Sequence, residues 1–458
     1  MNANLLQLAR TAFLELSKYV ILLLFIIYTW HCFTVFFQSS KEAKDKVFHR
    51  QHVMMYVIHF LCSMVLFVNA PGREIVYYYL AQLAFLLFVS KAYIYVYTNL
   101  SKVVLNNMLM LLTLGFLMIE RLKPALCMRQ MMFAFAISVL GLFIPFLIEK
   151  FRYFDRLGWI YAAMGICFLG LVFVIGQEKY GSKNWIQFGG IALQPSEFVK
   201  ILFVFFAAAL LARSTHFIDV VKVTALAAVH VLILVAEKDL GAALIYFVTY
   251  LLILYIASEN LGYLLLGIAA GVAASVVAYH LFDHVQTRVT AWRDPWSTID
   301  TKGYQVAQSL FAIGTGGWFG LGLFQGMPTK IPVADEDFVF AAISEEMGGI
   351  FAICVILVCA CCYLMFLNIA MQIHERFYKL IALGLGTTYG FQVFLTIGGV
   401  IKFIPSTGVT LPLVSYGGSS LLSTFIIFAV IQGLYIIRED ESVDEEKENI
   451  RRRRSVSE

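Results

Sequence analysis

Charge is what this chain has least of. Asp, Glu, Lys and Arg make up 14% of its 458 residues, where a soluble globular domain carries about 25%. The chain is 60% hydrophobic, with a mean hydropathy of +0.80. That much apolar surface cannot be hidden in a water-soluble core, so a soluble domain is excluded and the surplus faces lipid. The apolar runs approach ~20 residues and do not alternate, which excludes a β-barrel and leaves helices. A cleavable leader is also missing, because residues 1–18 are amphipathic rather than a basic stretch followed by an apolar one. The first span is therefore expected to act as an uncleaved signal. Metal-ligand spacing is missing too. The eight cysteines (32, 62, 127, 167, 354, 359, 361, 362) lie in apolar runs or at their edges, and Cys359, Cys361 and Cys362 read as small side chains of one buried helix. The net charge of +4 is spread between loops and a tail, so no nucleic-acid partner is expected.

What is present is a polytopic helical membrane protein. Thirteen apolar segments read as spans, roughly 19–37, 52–70, 75–97, 103–119, 128–148, 157–176, 198–212, 220–236, 241–257, 261–282, 343–367, 380–400 and 411–437. Only helices satisfy every backbone N–H and C=O inside such spans. Basic residues cluster at Lys41, Lys44, Lys46 and Arg50, at Lys150, Arg152 and Arg156, at Arg376 and Lys379, and at Arg451 to Arg454. With thirteen spans these clusters share one side, which basic loops assign to the cytoplasm. The C-terminus is then cytoplasmic, and the breaks 177–195 and 284–337 lie outside. The charged tail, 438–458, reads as solvated and disordered.

The break 284–337 interrupts the apolar pattern most. It holds four Asp, one Glu, two Arg and two Lys, together with Trp292, Trp296, Trp318 and Tyr304. A break this long is uncommon inside a compact domain and is usually functional. Its Gly-rich run, 314–326, has no flanking strand and no Gly-Lys-Ser/Thr ending, so it is not a phosphate loop; its glycines suit close approach to a lipid headgroup or a helix. Asp335, Glu336 and Asp337, followed by Glu345 and Glu346, sit where water gives way to membrane. Desolvation and like charge raise a carboxylate pKa there, which suits a general base but equally suits a helix cap. Glu197 and Lys200 are spaced i, i+3 at a helix start and pair on one face; ionisable groups at such depth point to function. Glu237, Lys238 and Asp239 form a hydrated turn or the rim of a polar cavity. Residues 404–420 contain Pro405, Pro412, Gly417 and Gly418, which forbid a regular helix, and hydroxyls including Ser415 and Ser419, which suit a polar lining. No Ser/His/Asp constellation accompanies them.

Six of these stretches, QPSEFVK (194–200), DLGAAL (239–244), RVTAWRDPW (288–296), GYQVAQSLFAIGTGGWFGLGL (303–323), DFVFAAISEEMG (337–348) and GVTLPLVSYGGSS (408–420), stand in the order and at the separations of one family. Together they resemble the FtsW/RodA (SEDS) family. The likeness runs from about 103 to 438. It implies an all-α fold with a ten-helix core, here residues 101–437, preceded by about three extra N-terminal transmembrane helices in residues 1–100. Those extra spans suggest a role in stability or partner docking. The resemblance further implies a peptidoglycan glycosyltransferase of the bacterial cytoplasmic membrane that polymerises lipid II, a disaccharide-pentapeptide on undecaprenyl pyrophosphate. Its partners would be a class B penicillin-binding protein and other divisome or elongasome membrane proteins.

The family's functional carboxylate, an Asp before Phe, falls on Asp337, with adjacent Asp335 as the rival base. Two departures stand out. His-Thr usually precedes that Asp, whereas Asp335 and Glu336 stand here. The family's Gly-Ala-x-Arg-Trp is replaced by Gly181, Ser182, Lys183, Asn184 and Trp185, so Lys183 is expected to supply the cation from next door. Lys183, Arg288, Arg293, Lys330 and Lys402 are the candidate cations for the pyrophosphate, and a divalent cation beside it remains an open alternative. Glu197, Lys200 and Asp239, with Ser415 and Ser419, are expected to shape the groove. Two other functions suit the same features: a lipid II flippase, and a scaffold for the penicillin-binding protein.

Overall fold

The computed structural model describes residues 2–457 except 39, 152, 180, 181, 189 and 190, with no side-chain description for 2–4, 179, 188, 191 and 442–458. Gly181 and Arg152 thus lie outside the described residues, and so do the side chains of Arg451 to Arg454.

Thirteen helical segments are long and apolar enough to cross a membrane, as the apolar runs predict, and the chain is a multi-pass membrane protein. The first three helices are α1 (Asn2–Thr34), α2 (Lys41–Asn69) and α3 (Arg73–Val96). Next come α4 (Lys102–Leu122), the span formed jointly by α5 (Pro124–Gly141) and α6 (Phe143–Lys150), and α7 (Gly158–Ile175). After a small sheet follow α8 (Pro195–Arg213), α9 (Phe217–Ala236), α10 (Leu240–Ser258) and α11 (Leu261–Leu281). The last spans are α15 (Gly349–Gln372), α16 (Arg376–Val400) and α17 (Gly418–Ser457).

Burial ranks these helices. The apolar window of α4 is 100% buried, whereas that of α11 is 0% buried. α4 is therefore the central helix, covered by α2 and α3 on one side and by α5 and α15 on others. α11 packs against α10, where Gly267 and Gly271 let Leu251 and Phe247 approach.

Four segments differ from the pattern read in the sequence. The break 177–195 is an antiparallel sheet of β1 (Gln177–Lys179), β2 (Ser182–Phe188) and β3 (Ile191–Leu193). The break 284–337 is largely folded. It begins as α12 (Asp283–Arg293), continues through α13 (Tyr304–Gly316), and has a single helical turn at Pro328–Lys330. The segment 343–367 divides into α14 (Val339–Met347) and α15, because Gly348 adopts φ +92° and stops the first helix. The tail is helical rather than disordered, since α17 runs on to Ser457, and between 438 and 457 no Pro or Gly stops it.

The Gly-rich run serves close backbone packing. Gly349 N–H bonds Gly317 O at 2.8 Å, and Leu321 and Gly322 N–H bond Glu345 O and Glu346 O at 3.0 and 2.9 Å. A Cβ at Gly320 would lie 2.4 Å from Glu346 O, and one at Gly316 would lie 2.1 Å from Ser344 O. Only glycine tolerates that approach.

The irregular stretch between α16 and α17 also packs on protein. A Cβ at Gly115 of α4 would lie 2.5 Å from Leu413 O, and Leu411, Leu413 and Val414 are buried. This is the tolerated form of non-helical backbone at membrane depth.

Candidate active site

Segment 404–420 is the hub on which the family-like motifs converge. Tyr416 N–H donates to Asp335 O at 2.7 Å, and Ser415 Oγ donates to Glu336 O. The backbone just before Asp337 is thus clamped from below. Gly241, at the start of α10, packs against Thr407 O and Val409. Gly408, at φ +72°, leaves room for the Arg288 guanidinium, 3.4 Å from where its Cβ would stand. Ser419 Oγ accepts from Gln194 N–H at 3.0 Å. Both predicted serines therefore hold neighbouring backbone.

Asp337 lies at the mouth of this hub, half-buried. Burial pushes its carboxyl up to about 7; Glu336 and Asp335 add to the rise, while Arg288 and its own backbone N–H oppose it. Arg288 on α12 faces both Asp337 and Asp239, and burial lowers its pKa from the ordinary guanidinium value. A carboxylate poised near neutrality beside one permanent cation is an arrangement that can take a proton and steady developing negative charge.

Asp335 is separated from this chemistry. It is 2% exposed, and its Oδ1 pairs with Lys123 Nζ at 2.9 Å. The neighbouring Asp and Glu that replace His-Thr thus play different parts: Asp335 faces inward onto α4, and Glu336 contributes its carbonyl to Ser415.

A second polar cluster lies behind the first. Asp239 Oδ2 accepts from Asn184 Nδ2 at 2.8 Å, Gln194 Nε2 at 2.9 Å and Ser196 Oγ at 3.2 Å, and its Oδ1 caps α10 through Ala242 N–H. Lys200 Nζ reaches Glu197 Oε2 and Gln392 Oε1, both at 2.7 Å, and Ser423 Oγ donates to the same Glu197 oxygen. The i, i+3 pair is therefore formed, with Lys200 buried and Glu197 half-buried. In the turn before Asp239, Glu237 is 1% exposed. Burial and then Asp239 push its carboxyl up to about 8, so it is largely neutral at pH 7.

The candidate cations separate. Only Arg288 stands against Asp337. Lys183 points away: its Nζ donates to Phe173 O at the end of α7 at 2.8 Å, whereas Asn184 is buried on Asp239. Successive residues of a strand face opposite sides, so Lys183 does not replace a cation at the Asn184 position. Lys330 and Arg293 are exposed. Lys402 is half-buried at φ +60°, and its carbonyl accepts from Trp292 Nε1 at 3.1 Å. Among the described residues, no group of His, Cys, Asp and Glu is placed to hold a metal ion.

Sequence reasoning passed over Arg121, Lys123, Gln194, Ser196 and Gln392 as site neighbours. Gln194 and Ser196 lie in the quoted QPSEFVK run, which was their available signal. The others bond across 192 or more positions, as in Lys200 to Gln392 and Arg121 to Glu346, and one chain read locally carries no sign of that.

The FtsW, RodA and SpoVE family model, described as "Cell cycle protein", matches residues 100–439. The chain is 34% identical over 348 residues to peptidoglycan glycosyltransferase RodA of Mycobacterium tuberculosis (strain ATCC 25618 / H37Rv), covering 69% of this chain and 74% of that protein. It is 31% identical over 344 residues to stage V sporulation protein E of Bacillus subtilis, covering 70% and 92%. Among solved structures it is similar to a chain of a peptidoglycan synthase complex (TM-score 0.63, 24% identity, 74% of this chain and 98% of that one). It is also similar to Rod shape determining protein RodA of Thermus thermophilus (TM-score 0.55, 23% identity, 73% and 96%). With a family model covering most of its length, this chain belongs to the FtsW/RodA/SpoVE family.

Proposed function

We propose that this protein is a peptidoglycan glycosyltransferase that polymerises lipid II at the outer face of the bacterial cytoplasmic membrane. The observation that carries the reading is Asp337: a half-buried carboxyl poised near neutrality, facing Arg288, at the mouth of a hub built from the family's motifs. The relatives named as peptidoglycan glycosyltransferases support it.

In this mechanism Asp337 accepts the proton of the acceptor's sugar hydroxyl as that oxygen bonds the donor's anomeric carbon. The bond from that carbon to the undecaprenyl pyrophosphate breaks, and the electron pair leaves with the pyrophosphate. Arg288 stabilises the charge that develops, and Lys402, near the end of α12, is the next cation along. Glu197, Lys200 and Asp239 keep the hub rigid behind the reacting groups. The residues before α4 are an extra membrane segment, residues 101–437 the catalytic membrane domain, and 438–458 a cytoplasmic tail. The solved relative in a peptidoglycan synthase complex that coordinates polymerization and crosslinking supports a class B penicillin-binding protein as partner.

Purified protein given lipid II should make glycan polymer, and Asp337→Asn should not. Polymer made equally by both forms overturns the base assignment. No polymer from either, with lipid II moved across a vesicle membrane, replaces this function with transport; a protein with neither activity is a scaffold. For orientation, a membrane-impermeant thiol reagent on intact cells should label Ser297→Cys and spare Ser455→Cys; the reverse pattern inverts the topology.

A further inference from the structure

Helices α1–α3 lie outside the family match, yet they are bonded to the segment that carries Asp337. The connection runs through the last turn of α4. On one side of that turn, Gln82 of α3 donates its side-chain amide to Glu120 Oε2 at 2.8 Å. The Gln82 carbonyl oxygen lies 2.8 Å from His59 Nε2 of α2. All three side chains are buried, where a polar group is costly unless hydrogen-bonded. With Glu120 as the acceptor, the Gln82 NH2 faces it. The Gln82 oxygen then faces His59, which must donate through Nε2.

On the other side the same turn grips the loop. Arg121 Nη2 lies 2.8 Å from Glu346 Oε1, bonds Gly326 O at 3.3 Å and sits 4.1 Å over the Phe324 ring. Lys123 pairs with Asp335, two residues before Asp337. The extension also touches the loop directly. Gln325 Nε2 donates to Asn69 Oδ1 at 3.3 Å, and the Tyr19 and Phe319 rings are 6.1 Å apart.

We propose that the N-terminal three-helix segment positions the catalytic carboxylate: Gln82, oriented by His59, fixes the last turn of α4, and that turn holds the Asp337 segment through Arg121 and Lys123. Gln82 and Lys123 are positioning residues that never meet substrate. The proposal rests on Asp337 being the base. It gives the extra helices a part in the reaction and not only in stability or docking.

The test uses the full chain in lipid nanodiscs. Gln82→Met keeps length and removes the hydrogen bonds to His59, Glu120 and Cys127. Amide hydrogen exchange across 317–337 should quicken about tenfold, and kcat for polymer formation should fall about tenfold, with KM for lipid II near wild type. Exchange across α8 should not change. Lys123→Met removes the ion pair to Asp335 at a half-exposed side chain. It should fold normally and lower kcat about threefold with the same KM. Unchanged exchange across 317–337 in both variants overturns the proposal. Faster exchange with unchanged kcat overturns the positioning role as well. Full activity in Asp337→Asn sinks the base assignment by itself, and the exchange measurement still reads the clamp separately.

Discussion

Two aspartates of this protein lie at one hub and are treated in opposite ways. Asp239 receives four hydrogen bonds, three on one oxygen and a helix cap on the other. Asp337 is bonded by its own backbone N–H, crowded by two acidic neighbours and relieved by Arg288. A carboxylate that accepts several donors has its charge spent on holding structure. One that is desolvated and under-bonded keeps its basicity for a substrate proton. The difference teaches that position at the water–membrane boundary does not by itself mark the reactive group. Both residues are there, and the hydrogen-bond supply separates them.

The largest expected effect breaks the comparison on the Asp337 side. Asp337→Asn should lose about 10²–10⁴-fold in polymerisation rate while its melting temperature stays at or above that of the wild type. Asp239→Asn should do the reverse. It places an amide nitrogen among three donors and should cost about 2–3 kcal/mol of stability, read by thermal unfolding, with residual activity following the folded fraction. An Asp239→Asn protein that melts normally but cannot polymerise would make Asp239 a chemical group and erase the contrast.

The pH dependence sharpens it further. The Asp337 carboxyl sits at about 7 in the folded chain against an ordinary value of 3.8. The native state therefore holds a proton that the unfolded chain releases, and stability should fall as pH rises from about 4 to about 7. Subtracting the Asp337→Asn melting curve from the wild-type curve should isolate that slope; no difference between them means the carboxyl is not desolvated. Turnover should rise with pH and level off above about 7, because the base works deprotonated. The smallest effect belongs to Asp335→Asn. It removes one negative neighbour, which favours ionised Asp337. The acid limb of the pH–rate profile should move to lower pH by less than about one unit, with kcat within about threefold of wild type. A complete loss of polymer in this variant would make Asp335 the base.

Much of this fold was legible because lipid imposes simple rules. Thirteen apolar runs became thirteen spans, and Glu197 with Lys200 at i, i+3 became an ion pair, since both patterns are local. The sheet at 177–193 was not legible as strands, because its three strands are short and interrupted by Gly. Its Ser182–Phe188 strand nonetheless decides that Asn184, and not Lys183, meets Asp239. The break 284–337 read as a loop because its two helices are polar or Gly-rich and contain no run long enough to span. The end of α14 at Gly348 was hidden for the opposite reason, since apolar composition continues through it and only the φ of one residue divides the helices.

By itself, the sequence determined the class of the molecule, its number of spans and its family. Each of these follows from composition, from local periodicity or from ordered motifs. Tertiary structure alone decided which charges meet. It set Arg288 against Asp337, turned Asp335 inward onto Lys123, surrounded Asp239 with donors, and tied His59, Gln82 and Glu120 into one chain behind the loop. The physical reason is that such contacts join residues tens to hundreds of positions apart, and the cost or value of a charge in a membrane protein depends on its partners far more than on its neighbours in the chain.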